Sequence, residues 1–142
     1  MPKFSQRSID ALKGVHPDMV KLMTESIKES PFDFTITEGV RTIARQQQLY
    51  AQGRTAKGIK VTNVDGLKKK SNHQPKEDGF GYAVDLYPFY NGSVQVQDKD
   101  VIPRLKAIAI HIKAVAKCLG ISITWGGDFK SLHDPPHFEL KK

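Results

Sequence analysis

The 142-residue chain is poor in sulfur and in tryptophan, with one cysteine, Cys118, and one tryptophan, Trp125. A lone cysteine excludes an internal disulfide framework and any multi-cysteine zinc site, so a metal in this protein has to be held by histidine and carboxylate. Cys118 falls within a helical apolar pattern and is expected at the core or its edge, with nothing near it in sequence to lower its thiol pKa. No stretch approaches the roughly 20 apolar residues that span a bilayer, so stable membrane insertion is not expected. The N-terminal run Met1-Pro-Lys-Phe-Ser-Gln-Arg-Ser8 lacks the apolar segment of a signal peptide, and the expectation is a chain made soluble in the cytoplasm. Acidic residues are also in the minority: 15 Asp and Glu against 22 Lys and Arg leave a net charge of +7. Such a balance points to anionic polymers as partners, nucleic acid or a cell envelope, or simply to a basic soluble surface. Internal repeats and low-complexity tracts are absent.

With 39% apolar residues, a chain of this size can form one domain and bury about two-thirds of its unfolded surface. Ser5 can cap a short helix carrying Ile9 and Leu12, closed by Gly14. His16-Pro17-Asp18 opens a second helix with Val20, Met23 and Ile27 at helical spacing, and His16 reads as a turn residue before it. After Pro31, the alternation Phe32-Asp-Phe34-Thr-Ile36-Thr predicts a strand. A helix follows over Thr42–Ala51 with Ile43, Gln47 and Tyr50 on one side and Gly53 as its stop. From Gly53 to Phe80 no period survives. Seven basic residues there (Arg54, Lys57, Lys60, Lys68, Lys69, Lys70, Lys76) face three acids (Asp65, Glu77, Asp78), which suits either a substrate-facing rim or a solvated surface.

Tyr82 to Phe89 reads as a strand with Ala83, Asp85 and Tyr87 on one face and Val84 and Leu86 on the other. Asn91-Gly92 is a hairpin turn, and Ser93–Gln97 alternates after it, so Asp85 is expected inside a meander. Asp98 or Asp100 caps the clearest helix of the chain, whose stripe is Leu105, Ile108, Ile112, Val115 and Leu119 and whose stop is Gly120; His111 sits at the stripe's edge as a packed histidine. Ile121–Trp125 and Phe138–Leu140 are short strands. Strands close in sequence, joined by turns and interleaved with helices, predict an α+β domain: a small antiparallel sheet with helices packed against it.

The residues with chemical potential are concentrated in Trp125-Gly-Gly-Asp-Phe-Lys-Ser-Leu-His-Asp-Pro-Pro-His-Phe-Glu139, where two prolines forbid a helix. A hydrolytic zinc takes three protein ligands and leaves a fourth position for water, whose pKa falls from about 16 to about 7. His73, Asp85 and one of His133 or His137 supply such a set, with Asp134 placed to act as a general base. The bland alternatives are a turn-ordering Asp134, a surface His137 and an Asp85 that only accepts hydrogen bonds.

Ser71-x-His73, Gly81-x-Ala83-x-Asp85, Trp125-Gly-Gly-Asp128 and Asp134-x-x-His137-Phe-Glu139 occur in that order. Gly39-Val-Arg-Thr42 and the Gln-rich segment Arg45–Gly53 lie upstream of them. Together they resemble the zinc D-alanyl-D-alanine carboxypeptidase and L-alanyl-D-glutamate endopeptidase family, especially its phage endolysins, from about Phe32 to Glu139. The resemblance implies one Zn2+ held by His73, Asp85 and His137 in a cleft on the sheet, with Asp134 as general base. Arg41 stands where the family stabilises the oxyanion; its alternative is a strand-end salt bridge. Ser71, Trp125, Asp128 and Glu139 are second-rank candidates that either orient a ligand, line the cleft or are structural.

One departure from the family pattern is an insertion, Gln74–Phe80. It raises Asp78 as a competitor to Asp85, and His133 competes likewise with His137. The Gly-x-Ala-x-Asp context favours Asp85, and the following Phe138-Glu139 favours His137. The expected function is hydrolysis of the L-alanyl-D-glutamate bond of bacterial peptidoglycan by a single monomeric peptidase domain, residues 1–142, with no separate wall-binding module. As a phage lysis enzyme it would be stored in the host cytoplasm and released to the wall. The rivals are a D,D-carboxypeptidase that removes terminal D-alanine and a non-catalytic, zinc-stabilised wall-binding domain. Nucleic-acid binding through Lys68–Lys70 lacks interleaved aromatics or a recognition-helix pattern and is not expected.

Overall fold

The structure, a computed structural model, describes residues 4–41, 43–52, 54–55, 73–129 and 134–141. Four helices, α1 (Gln6–Ala11), α2 (Pro17–Lys28), α3 (Ile43–Ala51) and α4 (Val101–Leu119), accompany five strands. The strands are β1 (Phe34–Glu38), β2 (Ala83–Tyr90), β3 (Ser93–Val94), β4 (Ile123–Trp125) and β5 (His137–Leu140). All strand pairings are antiparallel, in the order β1-β2-β5-β4, with β3 paired only to the far end of β2. The α+β expectation holds. The meander does not: the C-terminal strand β5 slots between β2 and β4, and only Ser93–Val94 of the expected 93–97 strand pairs.

Helices α1, α2 and α4 cover one side of the sheet. Their apolar stripes meet Ile36 of β1, Val84 and Leu86 of β2 and Phe138 of β5, all fully buried. Burying each such side chain contributes roughly 1.5–3 kcal/mol. α2 turns Met19, Leu22, Met23 and Ile27 inward, so Val20 lies at the edge of that face, one step off the expected stripe. α4 buries Leu105, Ile108 and Ile112 as expected, whereas Cys118 is exposed, because its position falls on the outer side of the helix. Ile9 is exposed as well; only Leu12 of the expected α1 pair is buried.

The ends of these elements follow the cap chemistry in the sequence. Ser5 accepts a hydrogen bond from the Ser8 amide, and His16 Nδ1 accepts one from the Asp18 amide ahead of Pro17. Gly120 closes α4 in the left-handed conformation that glycine adopts without strain. Ser8 is fully buried and its hydroxyl accepts from the Ile36 amide at 3.0 Å, tying α1 to β1. His111 donates from Nε2 to the Ser26 carbonyl at 2.8 Å and joins α4 to α2, the packed role expected of it.

Candidate metal centre

Strand alternation carries Asp85 to the face of β2 opposite Val84 and Leu86. In β5 the partner of Asp85 is His137, so both side chains rise from the same face of the sheet. His73 arrives from a different part of the chain and is fixed by the segment leaving β1: the Arg41 amide donates to the His73 carbonyl at 2.7 Å, and His73 Nδ1 donates to the Gly39 carbonyl at 2.9 Å. Gly39 lets the segment leaving β1 pass against Ala11 of α1, since a Cβ there would sit 1.9 Å from the Ala11 carbonyl oxygen.

The three side chains converge. His73 Nε2 lies 3.1 Å from His137 Nδ1, and each lies 3.3 Å from Asp85 Oδ1. The opposite nitrogen of His137, Nε2, donates to Glu139 Oε1 at 2.8 Å. With Nδ1 of His73 and Nε2 of His137 both acting as donors, neutral rings turn lone pairs toward each other and toward a carboxylate oxygen. Such an arrangement is stable only with a cation between the three atoms, either a proton or a metal ion. Ligands bound tetrahedrally at 2.0–2.1 Å stand about 3.3 Å apart, so the spacing fits zinc, as does the donor set of two imidazoles and one carboxylate. The hydrogen bonds to Gly39 and Glu139 are the kind that fix ring orientation in metal-binding histidines.

Electrostatics agree with a cation-seeking site. Burial opposes ionisation of Asp85, but His73 and His137 outweigh it and hold the carboxyl well below the usual range. Burial likewise opposes a charge on His137, yet hydrogen bonds to Asp85 and Glu139 raise its pKa to about 9. Asp134, with Oδ2 4.0 Å from His137 Nδ1, is pushed up to about 6 by burial and by the charge of Asp85.

The tail is clamped into this position. Trp125 Nε1 donates to the Pro135 carbonyl at 2.6 Å, and its ring stacks on Phe138. The Gly126 carbonyl accepts from the Asp134 amide at 3.0 Å, and the Asp134 carbonyl accepts from the His137 amide at the same distance. A Cβ on Gly126 would lie 2.0 Å from the Asp134 carbonyl oxygen, so the glycine admits the turn. Asp128 instead pairs with Lys113 of α4 at 2.6 Å on the surface. Asp78 accepts from the Tyr82 hydroxyl and the Phe80 amide within the insertion, and Asp85, not Asp78, joins the two histidines. Ser71 and His133 lie outside the described residues.

Arg41 is 7% exposed, and both expectations for it have a counterpart. Its Nε pairs with Glu38 at 2.9 Å, the strand-end salt bridge; Nη1 donates to Gln46 Oε1 at 2.7 Å; and Nη2 lies 3.6 Å from Asp85 Oδ2, at the edge of the group.

The chain matches the family described as phage L-alanyl-D-glutamate peptidase over residues 1–140. It belongs to that family. The L-alanyl-D-glutamate peptidase of Escherichia phage T5 is 30% identical over 140 residues, covering 99% of this chain and 90% of the relative. The peptidoglycan L-alanyl-D-glutamate endopeptidase CwlK of Bacillus subtilis is 32% identical over 138 residues, covering 89% of this chain and 73% of the relative. Among solved structures, the Serratia marcescens L-Ala D-Glu endopeptidase ChiX superposes with a TM-score of 0.74 at 29% identity, covering 98% of this chain and 90% of ChiX. The vancomycin-resistance D,D-dipeptidase VanXYg, at 16% identity and a TM-score of 0.54 over 89% of this chain and 50% of its own, shares the fold.

Membership of the family leaves three contributors that sequence reasoning passed over. Glu38 and Gln46 grip Arg41, and Gly126 makes room for the Asp134 turn. Gln46 is fully buried, whereas its neighbour Gln47 is exposed. The i, i+3 spacing of Glu38 and Arg41 was the one readable signal among these.

Proposed function

We propose that this protein is a zinc-dependent peptidase that hydrolyses the L-alanyl-D-glutamate bond in the stem peptide of bacterial peptidoglycan. The observation that carries the reading is the convergence of His73 Nε2, His137 Nδ1 and Asp85 Oδ1 at 3.1–3.3 Å, with Asp134 alongside. His73, Asp85 and His137 would hold one zinc ion. A zinc ion so held supplies Lewis acidity, polarising a carbonyl and lowering the pKa of water from about 16 to about 7.

Asp134 takes a proton from the attacking water as its oxygen adds to the alanyl carbonyl carbon. It then passes that proton to the amide nitrogen of the D-glutamate residue as the C–N bond breaks, so the products are a carboxyl end on alanine and a free amine. Burial raises the pKa of Asp134, the direction that suits a carboxylate to both halves of this transfer. Arg41, held by Glu38 and Gln46 with Nη2 toward the group, stabilises the negative charge that develops on the carbonyl oxygen, a contribution worth about 10²-fold or more in rate. Glu139 and the Gly39 carbonyl orient the histidines, and Trp125 holds the turn that carries Asp134. The net charge of +7 favours approach to an anionic wall. A monomer held in the host cytoplasm until lysis, then released to the wall, completes the reading.

Metal analysis of the purified protein tests it. One zinc per chain is expected, with wall-digesting activity lost on chelation and restored by added zinc. Activity that survives complete removal of metal would overturn the proposal.

A further inference from the structure

Tyr87 is the next residue after Asp85 on the site's face of β2, since alternation gives residues two apart the same face and sends Val84 and Leu86 into the core. Beyond the Asp85–His137 pair, β2 stays beside the tail: the Leu86 amide donates to the Pro136 carbonyl at 3.0 Å. Tyr87 therefore comes alongside the turn that carries Asp134. On its other flank its partner in β1 is Thr35, which is nearly fully buried. The half-buried ring packs against the edge of the apolar core, while the hydroxyl makes no hydrogen bond among the described residues.

A ring packed against the core, whose hydroxyl makes no hydrogen bond among the described residues, is preorganised to meet a ligand, because little side-chain freedom is lost when the contact forms. We propose that Tyr87 is a substrate-contacting residue whose hydroxyl donates a hydrogen bond to a backbone carbonyl oxygen of the stem peptide beside the scissile bond. This assignment rests on the peptidase reading above. The acceptor is a neutral carbonyl, the group that a peptide backbone presents on both sides of the bond to be cleaved.

The test compares the zinc-loaded wild type with Tyr87→Phe on a soluble muropeptide that contains the L-alanyl-D-glutamate bond. The variant keeps the ring and loses only the donor, so zinc content and thermal midpoint are expected to be unchanged. kcat/KM is expected to fall about 3- to 10-fold, the loss of one neutral hydrogen bond, and mostly through KM. Tyr87→Ala, which also removes the ring, is expected to lose more. Tyr87→Phe within twofold of wild type in both kcat and KM overturns the assignment, as does a loss that tracks zinc content or melting temperature, since that marks a structural residue. If the wild type itself leaves the bond intact, the peptidase reading fails and Tyr87 loses its role with it.

Discussion

His73 and His137 turn their free nitrogens to the same point but are held there by different means. A backbone carbonyl, Gly39 O, accepts from His73, and that carbonyl is locked where the chain leaving β1 passes against Ala11 with no room for a side chain. A side-chain carboxylate, Glu139, accepts from His137, two residues along the same strand. The first arrangement builds the candidate ligand into the fold, so that on the proposed reading metal binding and stability are tied together. The second makes the ligand adjustable, because a single substitution alters its orientation and charge while leaving the sheet intact. The proposed general base, Asp134, lies in the adjustable half, in a turn that Trp125 and Gly126 hold in place.

Four experiments sharpen or break this contrast. The largest effect is expected at Asp134, where Asp134→Asn should lower kcat/KM about 10²- to 10⁴-fold while zinc content and melting temperature stay at wild-type values. Turnover within tenfold of wild type would remove Asp134 from the chemistry, and with no wild-type turnover at all the domain would be a non-catalytic binder. Next comes Gly39→Ala in the built-in half. The added Cβ meets backbone, so denaturant unfolding should show a loss of about 3 kcal/mol, accompanied by a loss of zinc. A variant that kept its stability but lost zinc would show that the Gly39 carbonyl is no part of the fold's rigid frame.

Away from Asp134, the effects in the adjustable half are smaller and confined to the metal. Glu139→Ala should weaken zinc binding about 10- to 100-fold in a competition titration, with folding little changed and activity largely recovered at saturating zinc. A stability loss as large as that of Gly39→Ala would erase the distinction between the two histidines. The effect of pH is the smallest per step, at most about tenfold per pH unit. In the metal-free protein the pKa of His137 is raised from 6.5 to about 9, so its contribution to stability is fully present below pH 6.5 and is lost as pH rises through 9. Zinc needs the same nitrogen deprotonated, so apparent affinity should climb up to about tenfold per pH unit between 7 and 9 and then flatten, with proton release visible by calorimetry in buffers of different ionisation enthalpy. An affinity flat across that window would contradict the charge assigned to His137.

Local signals made much of this architecture readable. The alternation of β2 places Asp85 opposite Val84 and Leu86, the Asn91-Gly92 turn follows it with both residues at positive φ, and the stripe of α4 is the one that meets the sheet. The grouping of His73, Asp85 and His137 was readable through motif context, which favoured Asp85 over Asp78. What was not readable depends on long-range packing. β5 lies more than 40 residues from β2 in sequence, and nothing local says that it enters between β2 and β4. Gln46 stands in a run of three glutamines, and only the position of Arg41 in space selects it. Gly126 reads as a strand break, yet its function is to admit the Asp134 carbonyl; Asp128, though part of a family motif, turns to Lys113 on the surface. Cys118 misleads because helical periodicity alone does not say how wide the buried stripe of α4 is.

The central claim concerns one bond, and mass spectrometry of the fragments released from purified peptidoglycan by the zinc-loaded protein tests it most directly. The expected products are stem peptides that begin with a free D-glutamate amine and glycan strands that keep a single L-alanine. Loss of terminal D-alanine with the L-alanyl-D-glutamate bond intact would contradict it.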